Sequence, residues 1–480
     1  MKYKLSILFA LTCVLLMGQN TLQINGLNEA EFVYRMVPDS LNTYFRNSFG
    51  FNVGYRDFRF GMKFNSDLPR YSNQETELMG DLDPNRLSVA WEELYAGYSK
   101  DAFSIHVGTT EESFGQGMTF RSYEDLEFDE DHRIESFLLR YDDKLKLKTF
   151  YGAIESESYS GRQNLAYGAD LQYPVWQGVN LGASALGYRN LGAFSQYSYR
   201  DVFAGRMIVN HGNFDSYAEY ALSKNYRLQG ADASEGSALY LNADYMWNDL
   251  ILGAAYKRYE DFSYRLQDLP LANYHLETIS DALASGIDEE GWQGRISYAA
   301  TQDIYLTLDY AEAWDSSKDK RMNDLYLELD LHRGGKRYQL SWSHIEKVDD
   351  AARIWYKEYY PTLTAQINAL GRPLQLTGEF KTVEKQQNQI ESSHYEPMFQ
   401  AGFAVRKFSI ALGLQSSWAD FSAIMDSRYM PNIEVKYPIF SHSDLSVFAG
   451  KEAGGKVCRN GVCRYVAPFE GIKAELSTRF

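Results

Sequence analysis

The residues with the greatest chemical potential lie in one loop. Between positions 110 and 132, Gly115 and Gly117 stand two apart, Arg121 follows, and Glu124, Asp125, Glu127, Asp129, Glu130 and Asp131 crowd together. Glycine permits backbone turns barred to other residues. Carboxylates gathered at a pore attract cations and repel anions. The expectation is a loop that folds into a lumen and narrows it. A solvated surface loop whose carboxylates hold divalent cations is the rival reading, and a specific calcium site is a third, although the spacing is not that of an EF-hand. A second pair of reactive groups is Cys458 and Cys463, flanking Asn460-Gly461. Asn-Gly is the preferred pair for a type I′ turn, which sets Arg459 opposite Val462 and Cys458 opposite Cys463. Residues so opposed lie within disulfide reach, so a stapled hairpin is expected in an oxidising compartment. Enzyme signatures are missing: there is no GxSxG, HExxH or Walker loop. The eight histidines are scattered, at 106, 132, 211, 275, 332, 344, 394 and 442. No catalytic, cofactor or metal residue is expected, with the reservation that a site built from distant strands leaves no motif.

The elements that position these groups read as strands. In "GFNVGYRDFRFGMKFN" (Gly50 to Asn65), the apolar residues Phe51, Val53 and Tyr55 change parity after Arg56-Asp57 to Phe58, Phe60, Met62 and Phe64. Two half-apolar strands joined by a tight turn give that shift, because a two-residue reversal keeps both sets on one face. "LKLKTFYGA" (145–153), "IYLTLDY" (304–310), "LYLELDL" (325–331) and "YQLSWS" (338–343) alternate likewise. Short connections fall near 56, 142, 210, 247, 301, 332, 370 and 406. Long ones fall at 67–86, 110–132, 189–201, 224–235, 260–290, 345–360, 418–429 and 451–470. Short and long alternate, as in an up-and-down membrane barrel with short periplasmic turns and long extracellular loops. Eleven short hairpins plus one strand at each end make about 24 strands, and 22 is also compatible. The first strand is irregular at its glycine, and "LTAQINAL" (363–370) could be a helical turn within a loop.

The totals agree. The chain has 480 residues, 37 Tyr, 27 Phe and only 11 Pro, a bias toward sheet. Net charge is −16, which argues against nucleic acid. Lys2, Lys4 and the apolar run Leu5 to Met17 form a signal peptide, with cleavage placed after Gly18; Cys13 lies inside its apolar core. Residues 19–480 then form a single barrel domain. More than about 20 strands leave an interior too wide for wall side chains to fill. The apolar set must therefore face lipid. Arg46, Arg56, Arg59, Lys63, Lys146, Lys148, Glu328, Asp330 and Lys473 face a wet lumen. Tyr and Phe supply interfacial belts; "YKEYY" (356–360) is such a belt or a sugar-stacking surface.

The chain ends "GIKAELSTRF", with Ile472, Ala474, Leu476, Thr478 and Phe480 on the outward side. Such a terminal strand resembles the assembly signal of bacterial outer-membrane proteins. "GGKVCRNGVCRYVAPFEGIKAELSTRF" and "SFGQGMTFRSYEDLEFDED" (Ser113 to Asp131) resemble motifs of an uncharacterised family of Gram-negative outer-membrane β-barrel proteins, which often has Arg where this chain has Gln116. The resemblance implies fold and location, not substrate. The partners expected are outer-membrane lipids and the barrel assembly machinery. The function expected is a porin-like channel for small hydrophilic solutes, narrowed by loops 110–132 and 260–290. The alternative is a closed barrel serving as a surface scaffold or export partner. An N-terminal plug domain of the kind carried by TonB-coupled receptors is not expected, since alternation begins soon after the leader.

Overall fold

The computed structural model describes all residues except 1–21, 37–42, 69–87, 126–129, 156–162, 190–198, 227–233, 265, 280–286, 370, 388, 421–427, 454, 460–461 and 467–468. Of residues 88–90, 125, 130, 155, 163, 455–459 and 462–466 it describes the backbone alone. The expected signal peptide, 1–18, lies outside the described residues.

The described chain is all β. It opens with β1 (Gln23–Arg35), β2 (Thr43–Tyr55), β3 (Phe58–Leu68), β4 (Ser88–Lys100) and β5 (Phe103–Thr110). Four short strands follow, β6 (Glu112–Phe114), β7 (Phe120–Ser122), β8 (Glu124–Asp125) and β9 (Glu130–Asp131). The wall resumes with β10 (Ile134–Asp142), β11 (Lys146–Glu155), β12 (Gln163–Trp176), β13 (Val179–Arg189), β14 (Tyr199–His211) and β15 (Phe214–Tyr226). It continues through β16 (Ser234–Trp247), β17 (Leu250–Glu260), β18 (Asp288–Thr301), β19 (Ile304–Trp314), β20 (Lys320–Arg333) and β21 (Lys336–Asp349). Next come β22 (Ile354–Ala369), β23 (Arg372–Gln387), β24 (Ile390–Val405), β25 (Phe408–Ser417), β26 (Arg428–Phe440) and β27 (Ser443–Glu452). The hairpin β28 (Gly455–Arg459) and β29 (Val462–Val466) precedes the last strand, β30 (Phe469–Arg479).

Apart from β6–β9, β28 and β29, all strands join one 24-stranded antiparallel sheet, closed by β1 against β30. This is the strand number expected from the hairpin count. Closure leaves no edge, which hydrocarbon demands of any spanning sheet. The alternating apolar residues face outward. Phe60 and Leu327 lie on the outer face, 39% and 41% exposed, and the Phe51 ring lies tilted beside Phe60, centroids 6.3 Å apart. Aromatic residues crowd the short-turn rim, among them Phe58, Tyr98, Phe103, Tyr141, Tyr173 and Trp247. Outward Ile472, Ala474, Leu476 and Thr478 alternate with inward Lys473, Glu475, Ser477 and Arg479, the two sets aligned with opposite faces of β1.

Two sequence expectations fail around β22. Residues 345–360 are not a loop: β21 runs to Asp349 and β22 starts at Ile354. "LTAQINAL" is the end of that same strand, not a helical turn. The first error came from the outer face; "LTAQINAL" itself alternates, with Leu363, Ala365 and Ile367 outward and Thr364, Gln366 and Asn368 inward. On β22 and β23 the outer face is apolar at Leu363, Leu374 and Leu376 but carries Lys357 and Glu384, cross-strand partners, further up. Those charged residues interrupt the apolar outer face while strand pairing continues. "YKEYY" is accordingly split by the pleat: Tyr356, Glu358 and Tyr360 face inward, Lys357 and Tyr359 outward. In the loop hairpin, Cys458 pairs with Cys463 and Arg459 with Val462, as expected; the cysteine side chains lie outside the described residues.

The irregular glycine of the first strand has a cause. Gly26 exchanges backbone hydrogen bonds with Phe480 (N to O 2.8 Å, and 3.1 Å in return). The Phe480 ring lies against Gly26 and stacks on Phe49 at 5.7 Å. A Cβ at Gly26 would enter that ring and sit 2.7 Å from the Gly50 carbonyl oxygen. Gly26→Ala is therefore expected to destabilise the closed barrel by about 1–3 kcal/mol, the cost of overpacking. Urea unfolding followed by the heat-dependent gel shift checks this; an unchanged midpoint would show that the seam tolerates a methyl.

Candidate functional site

The loop after β5 turns into the barrel. β6 and β7 form a small hairpin, Glu112 opposite Ser122 and Phe114 opposite Phe120. Its turn needs Gly115 (φ 56°) and Gly117 (φ 96°), where a left-handed backbone suits glycine. At Gly115 a Cβ would also lie 2.5 Å from the Tyr217 hydroxyl. Two polar anchors hold the hairpin base. Ser122 Oγ donates to the Thr110 carbonyl at 2.5 Å and accepts from Ile134 N at 3.0 Å. Glu112 accepts from Arg140 (2.6 Å) and Lys148 (2.9 Å) on the lumen wall.

Between these anchors the contact is greasy. Phe114, Met118 and Phe120 are 0% exposed. They pack with Leu138, Phe150, Ile154, Leu186, Val202 and Ala221 of β10 to β15. Phe120 stacks on Phe150 at 4.2 Å. These wall residues point inward, so the purely hydrophilic lumen expected from the sequence is corrected over this sector. The signal was present in "IESFLLRYD", where both parities are apolar.

A second loop, 261–287, completes the plug. Phe262, Leu266 and Leu269 join the same cluster. Arg121 N donates to Leu266 O at 2.9 Å, and Asp268 N to Gly117 O at 3.0 Å. The Tyr264 hydroxyl donates to the Thr119 carbonyl, and Arg121 pairs with Asp268. Beyond this clasp, residues 273–279 run along β19 to β21. Tyr274 stacks on Tyr326 at 3.6 Å, Glu277 meets Lys347 at 2.8 Å, and Ile279 packs on Ala313 and Met322.

The acidic residues singled out in the sequence sit elsewhere in the loop. Glu124 pairs with Asp131, and Asp125 with Glu130, in a two-rung ladder. Arg133 gathers Asp131 (2.9 Å) and Glu124 (3.3 Å), and Lys63 approaches Glu124 at 3.7 Å. Glu127 and Asp129 lie outside the described residues. The structure thus brings Gly115, Gly117 and Arg121 into the plug, and offsets Glu124 and Asp131 with cations.

The opposite wall is different. The inward residues of β22 to β24 are mostly polar, with Val383 and Met398 among them, and among the described residues none joins the apolar plug. Glu358 meets Lys381 at 2.7 Å, Thr362 donates to Glu379 at 3.2 Å, and Thr364 and Thr377 hydroxyls meet at 3.2 Å. The lumen thus carries an apolar cluster, with buried ion pairs such as Arg206–Asp170 beside it, on one side and a mostly polar lining on the other.

Burial of each apolar plug side chain contributes about 1.5–3 kcal/mol. The Arg121–Asp268 pair, roughly two-fifths exposed, contributes at most about 1 kcal/mol. Phe120→Ala is expected to cost the plug about 3–5 kcal/mol and Arg121→Ala under about 1 kcal/mol, read by hydrogen exchange of residues 112–122. Equal effects would mean the clasp, not the packing, holds the loops. Burial alone would raise the Glu112 carboxyl, but Lys148 and Arg140 outweigh it and hold it below its ordinary 4.5. A depressed carboxyl stabilises above its unfolded pKa, and that contribution is lost as pH falls through the folded one. Acidification below pH 4.5 should therefore loosen the hairpin, and Glu112→Gln should abolish that acid response in the same exchange measurement.

Residues 3–284 match the model of DUF6029, a family of unknown function, and the chain belongs to that family. The Ser113–Asp131 motif falls inside the match. No curated protein matches the chain. Among solved structures, the siderophore receptor PirA from Pseudomonas aeruginosa shares the fold at TM-score 0.50 and 9% identity, over 97% of this chain and 81% of that one. The P pilus usher PapC translocation pore aligns at TM-score 0.49 and 10% identity, over 95% and 99%. Pseudomonas aeruginosa OccK3 (OpdO) aligns at 0.40 and 13%, over 80% and 95%. The barrel has the fold of outer-membrane proteins.

Proposed function

We propose that this member of DUF6029 is an outer-membrane channel for small hydrophilic solutes, with a path displaced to one side by the two-loop plug. The observation that carries the reading is the asymmetry of the lumen. Loops 111–133 and 261–287 cover the apolar sector, β10 to β17, through Phe114, Phe120, Phe262 and Leu266. The sector of β22 to β24 keeps Thr364, Thr377, Gln375, Glu379 and Lys381 on its inner face. Side chains of that kind suit water and polar solutes, and mixed charge is usual in a water-filled bore. Outward Ile472 to Phe480 is the surface we assign to recognition by the barrel assembly machinery, and the apolar outer band to membrane lipid. The Cys458–Cys463 register suits a disulfide in the oxidising space outside the cell.

The dry cluster also suits a second reading, a closed barrel used as a scaffold or export partner. Planar-bilayer recordings separate the two. Steady openings are expected, and the double variant Thr364→Trp/Thr377→Trp, which places two indoles on the hydrophilic wall, is expected to cut conductance at least about twofold. Silent but correctly folded barrels would favour the scaffold.

A further inference from the structure

We propose that Ser343, His275 and Asp324 form a hydrolytic triad inside the barrel, which cleaves small acyl esters that reach it through the aqueous lumen. Three chain positions far apart in sequence meet here. Ser343 lies in mid β21, facing inward between Tyr326 of β20 and Tyr360 of β22. Asp324 faces inward two residues from Tyr326 on β20, and its side chain is fully buried. His275 comes from the 261–287 loop. Its Nδ1 lies 2.6 Å from Asp324 Oδ1, and its Nε2 lies 3.1 Å from Ser343 Oγ. The His275 backbone N–H donates to Asp324 Oδ2 at 3.0 Å.

This arrangement fixes more than a loop contact requires. An ionised carboxylate only accepts, so Asp324 selects the tautomer with the proton on Nδ1. Nε2 then presents a bare lone pair to the Ser343 hydroxyl. The second Asp324 oxygen, held by the His275 main chain, fixes the ring's orientation. Nucleophile to base and base to carboxylate both lie within hydrogen-bond reach, the geometry that marks an activated serine whatever the fold.

The chemistry balances with water as the only co-reactant. Ser343 Oγ attacks the ester carbonyl while His275 Nε2 takes its proton. The carbon–alkoxide bond breaks, and that proton leaves with the alcohol. Water then attacks the acyl-serine, gives a proton to His275, and releases the carboxylic acid as Oγ regains the proton. Asp324 is a positioning residue throughout. Ser343 is 3% exposed, so a substrate must displace a neighbour; Tyr274, stacked on Tyr326 and 41% exposed, is the side chain at the edge of the site.

The test uses the detergent-solubilised barrel, a small fluorophosphonate and p-nitrophenyl acetate. Labelling at Ser343, located by peptide mass, is expected. It should disappear in Ser343→Ala, fall at least about 100-fold in His275→Gln, and rise in Tyr274→Ala. Asp324→Asn keeps the shape without the charge, and Asp324→Glu keeps the charge without the shape. A triad predicts that Glu labels faster than Asn, whereas a purely structural contact predicts that Asn preserves the site better. Ester turnover should follow the same order. If Ser343 stays unlabelled in both the native barrel and Tyr274→Ala, with the heat-dependent gel shift intact, the proposal is overturned and the cluster is a clamp for residues 273–279. Labelling needs no bilayer, so it fails or succeeds independently of the conductance experiment.

Discussion

Closing a sheet of 24 strands leaves no unpaired edge strand but creates a bore that the wall cannot fill. The rest of the molecule answers that constraint. The lipid-facing side needs only alternation, and it has it. The lumen needs material from elsewhere, and two loops supply it. They are held mainly by burial of Phe114, Met118, Phe120, Phe262 and Leu266 rather than by their visible ion pair. The wall beneath them has been altered to match: Leu138, Phe150 and Ile154 occupy inward positions where the sequence pattern alone would place charge. Glu112 adds a directional anchor, because Arg140 and Lys148 converge on it from the inner face.

Much of this was legible. Parity changes across tight turns such as Arg56-Asp57 fixed the hairpins, and eleven of them plus two end strands gave the barrel. Gly115 and Gly117 announced a turn, and they make it. Other features leave no periodic trace in the sequence. The top of β22 reads as a loop because Lys357 and Glu384 break the apolar outer face while their strands continue. The role of the 110–132 carboxylates was hidden because Arg133, their main partner, follows the cluster and carries no pattern of its own. The apolar inward residues were hidden because a helix, a loop or a lipid face can all explain an extra Leu or Phe.

The grouping of His275, Asp324 and Ser343 shows the same limit more sharply. The aspartate and serine sit on neighbouring strands, but the histidine arrives on a loop whose path no local signal sets. Strand pairing is periodic and therefore readable. The course of a loop across a lumen depends on what it finds there, here Tyr326 for Tyr274 and Lys347 for Glu277.

The unequal height of the wall has a consequence of its own. A tilted strand crosses hydrocarbon in about 9–11 residues, whereas β22, β23 and β24 have 16 each. Their surplus, beginning near Lys357 and Glu384, rises roughly 10–15 Å beyond the acyl region. It does so beside the hydrophilic sector. The barrel thus stands tallest, among the described strands, on the side of its proposed passage, two residues per strand above β18, β20 and β21.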